Sequence, residues 1–65
     1  MKVKYDKEVD VLVIRFSDSK IQESDESKPG VIIDYDKEGK IVKIEILHAS
    51  KRMDAPFRVE YEVVG

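Results

Sequence analysis

Sixty-five residues, no cysteine, 40% charged side chains and a net charge of −2 make one small domain at most, residues 1–65 taken together. A chain this short buries only roughly 60% of the surface its unfolded form exposes. Disulfides and thiolate metal sites are excluded, so extra stability has to come from packing or from oligomerisation. No apolar run approaches the ~18 residues of a membrane span, and Met1-Lys2-Val3-Lys4 leads into an alternating pattern in place of a signal-peptide core. A cytoplasmic location is expected, with no membrane contact. The densest basic groups are only Lys40/Lys43 and Lys51/Arg52, too few for the counterion release that nucleic-acid binding depends on, so no nucleic-acid partner is expected. High Lys and Glu with one Gln and no Asn suit a thermophilic source.

Short runs of β-branched and aromatic residues separated by polar turns predict a mainly β fold. The expected architecture is a small antiparallel sheet of five or six strands, containing two similar hairpins and at most one short helical turn before the last strand. Lys2 to Tyr5 is the first strand, with Val3 and Tyr5 on one face, and Val11 to Phe16 is the second. Ser17 to Lys20 leads to a weak edge segment at Ile21 to Ser24, after which acidic, Ser-rich residues run into a turn at Pro29-Gly30. Val31 to Tyr35 and Ile41 to Leu47 flank Asp36-Lys37-Glu38-Gly39, whose Gly suits the left-handed position closing a hairpin loop. His48 to Asp54 lacks alternation and fits one or two helical turns ended by Pro56. Phe57 to Val63 alternates strictly, with Phe57, Val59, Tyr61 and Val63 on one side, and is expected to form the last strand, a C-terminal extension over residues 54–65.

Laying Val3 to Phe16 on Ile33 to Ile46 without a gap repeats Tyr-Asp-Lys-Glu and superposes Leu12, Ile14 and Phe16 on Val42, Ile44 and Ile46. That shared face is the expected core. Val11 and Val13 on the reverse side are apolar too and need cover. The strip Phe57, Val59, Tyr61 and Val63, together with Val11 and Val13, is therefore the candidate interface, and a homo-oligomer is expected.

Catalytic, cofactor and metal residues are harder to find. Asp34, Asp36, Glu38, Gly39 and Glu45 match the spacing of an EF-hand loop, but Pro29-Gly30 lies too close before Asp34 for an entering helix. A hairpin turn with soluble carboxylates is the better reading. His48 is the lone histidine, and with Ser50 and a carboxylate it makes no recognisable nucleophile arrangement. Neither a catalytic residue, a cofactor nor a metal ligand is assigned.

The succession Gly30-Val31-Ile32-Ile33-Asp34-Tyr35-Asp36, then Ile44-Glu45-Ile46-Leu47 followed by Ala49-Ser50-Lys51-Arg52, resembles the short prokaryotic proteins of the domain-of-unknown-function family 2283 over residues 1–53. His48 departs from the acidic residue common there, and the tail extends past the usual end. The resemblance implies no accepted activity; some members are encoded beside small toxin-like proteins and look like antitoxins. The expected function is thus a non-enzymatic protein-interaction module, with a small protein as a further partner. A small-ligand or metal-ion site in the acidic turns is the alternative, and an uncharacterised enzyme the third.

Overall fold

The computed structural model describes residues 1–55 and 58–65. Five strands, β1 (Lys2–Asp6), β2 (Val11–Arg15), β3 (Glu23–Lys28), β4 (Val31–Tyr35) and β5 (Ile41–Leu47), form one antiparallel sheet in the order β1-β2-β5-β4-β3. A single helical turn, α1 (Ala49–Arg52), follows β5. The pairing of β2 with β5 sets Ile14 opposite Ile44 and Leu12 opposite Ile46, and joins the first hairpin to the β3-β4-β5 meander. Residues 16–22 cross from the middle of the sheet to its far edge, a Greek-key connection.

Each turn has a local cause. Asp6 and Asp36, equivalent in the repeat, both accept a hydrogen bond at Oδ1 from the amide two residues on, Glu8 at 3.0 Å and Glu38 at 2.9 Å. Their left-handed residues differ by one repeat position. Asp10 takes φ 58° in the first loop and Gly39 takes φ 80° in the second. Between β3 and β4 the loop is only Pro29-Gly30, with Gly30 at φ 83°, the pattern of a type II turn. That turn does not follow the strand twist, and a register shift between Glu26 and Lys28 absorbs the mismatch.

The third strand thus runs from Glu23 to Lys28, displaced toward the turn from the expected Ile21 to Ser24. Its polar side chains carry no alternation to read; the exposed backbone of β4 recruits it. Among the described residues the expected last strand does not form. Phe57 lies outside the described residues, and Arg58 to Gly65 make no ladder. A period-two pattern prepares a segment for pairing, but a strand exists only where an edge accepts its N–H and C=O groups.

Two rows of apolar side chains cross one face of the sheet. One is Val3, Ile14, Ile44 and Ile33; the other is Tyr5, Leu12, Ile46 and Val31. Of the apolar side chains in the described residues only Leu12, Val42 and Ala49 are buried, and Phe16, expected in the core, is 44% exposed. Phe16 fails as a core residue because it sits past the end of β2, where its amide bonds to the Val42 carbonyl but no strand lies beyond it.

Gly39 is the turn position where backbone geometry alone restricts the residue, since nothing lies within 4 Å of where a Cβ would sit. Gly39→Val should therefore cost on the order of 1 kcal/mol or more through backbone strain. A denaturant midpoint equal to that of the wild type would contradict this account of the turn.

Candidate interaction surface

The segment after α1 carries a run of exposed apolar side chains, Val64 among them. Val59 is 60% exposed, Tyr61 75% and Val63 80%. Of the expected interface residues these three stand free together, Phe57 lies outside the described residues, and Val11 and Val13 sit elsewhere, half-buried on β2. Val13 faces Lys4 on one side and Glu45 on the other, and Val11 faces Asp6 and Leu47, so the two valines form a narrow apolar strip among charges. No helix among the described residues is long and apolar enough to cross a membrane.

The sheet has two unlike edges. β3 is exposed throughout and carries Glu23, Asp25 and Glu26, a charged edge that discourages further pairing. β1 alternates cationic Lys2 and Lys4 with apolar Val3 and Tyr5.

A polar cluster occupies the face opposite the two apolar rows. Asp34 is buried, accepts a hydrogen bond from the Ser24 hydroxyl at 2.5 Å, and lies 3.5 Å from the Lys43 ammonium. Lys43 also bonds Glu45 at 2.6 Å. The hydrogen bond to Glu45, against some cost of burial, raises the Lys43 pKa, so the amine stays charged. A nucleophilic lysine requires the opposite shift. The carboxylates of the EF-hand spacing are dispersed: a Lys43 ammonium stands between Asp34 and Glu45, and Asp36 Oδ1 is turned onto the amides of Glu38 and Lys40. Among the described residues no three His, Asp or Glu side chains converge as a metal site would require. An open cleft of about 570 Å³ lies where residues 17–22 meet the β4-β5 turn, and its lining includes Lys20, Lys37 and Lys40 alongside Asp36 and Glu38.

Asp10 joins the helical turn to the sheet. Its carboxylate accepts from the Tyr5 hydroxyl at 2.6 Å, the Ser50 amide at 2.9 Å and the Ser50 hydroxyl at 2.7 Å, while its carbonyl accepts from the Ala49 amide at 3.0 Å. At the other end of the turn the Arg52 guanidinium donates to the Pro29 carbonyl. The Ser50 hydroxyl thus donates to a carboxylate and not to His48, which departs from the strand at φ 54° with its side chain exposed. That arrangement is a latch, lacking the serine-histidine contact a nucleophile needs. Neither the latch nor the Ser24–Asp34 bond follows from the sequence pattern; the one local signal is an Asp just before a strand, a residue type tolerant of positive φ.

A family described as "Protein of unknown function (DUF2283)" matches residues 2–50. The chain belongs to this family. No match was found among curated proteins or among solved structures. The DUF2283 span holds all five strands and stops at Ser50, the residue that closes the latch onto Asp10, whereas Arg58 to Gly65 lies beyond it.

Asp10 gives a pH dependence. Its carboxyl is held below the usual range, chiefly by the Tyr5 hydrogen bond and then by the two from Ser50, with the His48 charge adding to them. A lowered folded pKa means stability that is in place above the unfolded value of about 4 and is lost as pH falls through the folded value. Asp10→Asn should flatten the acid limb of a urea-midpoint profile below about pH 5. Parallel acid limbs in both proteins would show that the latch does not carry it. Millimolar calcium should leave the melting temperature unchanged, since a ligand at a hundredfold excess over Kd would add about 2.7 kcal/mol. A rise of several degrees that Asp36→Asn abolishes would restore the calcium reading.

Proposed function

We propose that this DUF2283 domain is a non-enzymatic protein-interaction module of the cytoplasm that assembles with further copies of itself, using the apolar strip of its C-terminal segment. One observation carries the reading. The 7.5 kDa chain exposes 5325 Å², whereas a compact monomer of that mass exposes about 4,200 Å². The C-terminal segment contributes to that excess, with Tyr61 75% and Val63 80% exposed. Burying Val59, Tyr61 and Val63 would stabilise an assembly by roughly 1.5–3 kcal/mol each, a sum comparable with the stability of a small domain.

An antitoxin-like role is the same reading with a small toxin as an additional partner, and it rests on the family resemblance. Binding of a small ligand at the acidic turns is supported by the cleft beside the β4-β5 turn, but Glu38 there pairs with Lys40 at 3.7 Å and Asp36 is engaged with the turn amides.

Sedimentation of the full chain should report a dimer or higher oligomer. Removing residues 55–65 should give a monomer that is less stable or aggregates. A monomeric full-length protein, or a truncated one with unchanged mass and melting temperature, would sink the proposal.

A further inference from the structure

β1 is an edge strand: β2 pairs along one side, and no strand of the described residues pairs along the other. Its side chains alternate between Lys2, Lys4 and Asp6 on the polar face and Val3 and Tyr5 on the apolar face. The segment after α1 has the same alternation, with Arg58, Glu60 and Glu62 separated by Val59 and Tyr61. In its own chain it is exposed and makes no ladder.

We propose that residues 58–62 of one copy add as a sixth strand, antiparallel to β1 of a second copy, so that two chains exchange their C-terminal segments. This rests on the self-assembly reading above and names the edge and the register that it uses. Setting Glu60 opposite Lys4 also sets Glu62 opposite Lys2 and Arg58 opposite Asp6, three pairs of opposite charge on one face. On the other face Tyr61 falls beside Val3 and Val59 beside Tyr5. Each apolar row of the sheet is then lengthened by one residue, since Val3 begins the row through Ile14, Ile44 and Ile33, and Tyr5 the row through Leu12, Ile46 and Val31.

Other registers are worse. A shift of two residues sets Glu60 against Asp6 in one direction and Arg58 against Lys4 in the other, and a shift of one sets every apolar side chain against a charge. A parallel arrangement that keeps Glu60 beside Lys2 leaves Asp6 facing Val64. At the opposite edge both faces of β3 present carboxylates, Glu23 and Asp25 on one and Glu26 on the other, and the strand is broken by its register shift. The complement of the segment is therefore β1 of this same sequence, and since residues 58–65 make no ladder with the β1 of their own chain, the occupant is a second copy. A reciprocal exchange about a two-fold axis covers both β1 edges and leaves no open chain of contacts.

The experiment uses the full chain in two charge-reversed forms, Lys2→Glu with Lys4→Glu, and Glu60→Lys with Glu62→Lys, followed by sedimentation of each and of their mixture. Each form alone should dissociate at least about tenfold more readily than the wild type, because like charges then face each other at both junctions. The mixture should regain wild-type association, since each segment meets an edge of opposite sign on the other chain. The second form changes only the segment outside the sheet, so it reports even if the β1 form fails to fold by circular dichroism. A wild-type oligomer that neither reversal weakens, or a mixture no tighter than its components, would overturn the edge and register while leaving self-assembly standing. A monomeric wild type would overturn both, and protection of the Val59 and Tyr61 amides in that monomer would show the segment paired within its own chain.

Discussion

The pairing of β2 with β5 is the interaction on which the fold depends. It brings residues 11–15 against residues 43–47, some thirty positions away in the chain, and without it there would be a two-stranded hairpin and a separate meander. A lone hairpin is marginal in water, and three or more strands need an apolar face to persist. Joining them makes β5 a central strand with neighbours on both sides and places Val42 and Leu12 where they become buried. The same pairing obliges residues 16–22 to bridge β2 to the far edge, which creates the cleft beside the β4-β5 turn.

The latch at Asp10 depends on that pairing in turn. Val11 lies opposite Leu47, so the start of β2 and the end of β5 meet, and Asp10 and Ser50 are brought within hydrogen-bond distance across forty residues. A four-residue helical turn has little stability of its own. Here the Asp10 contacts at its first turn and the Arg52 contact to Pro29 tie it to the two loops at this end of the sheet.

What remains is a sheet with one layer, left uncovered by the described residues on much of its surface. Three apolar side chains among the described residues are buried, whereas Val59, Tyr61, Val63 and Val64 near the C-terminal end are exposed. The unlike edges then matter. Acidic β3 resists an added strand, whereas β1 presents an alternating surface that an alternating segment of opposite charge can continue.

The sequence by itself determined four strands nearly to their ends, the helical turn and the positive φ of Gly39, because period-two runs, a break in alternation before Pro56 and a turn glycine are local signals. It also determined the family, through the Gly-Val-Ile-Ile-Asp-Tyr-Asp strand, and the apolar strip at Val59, Tyr61 and Val63. Only the tertiary structure decided the rest. β3 has no pattern of its own and became a strand because β4 offered a partner, while residues 58–63 have a perfect pattern and yet make no ladder within their own chain. Asp10 with Ser50, and Asp34 with Ser24 and Lys43, depend on which strands lie side by side. That order rests on pairings between distant segments, and local periodicity carries no information about it.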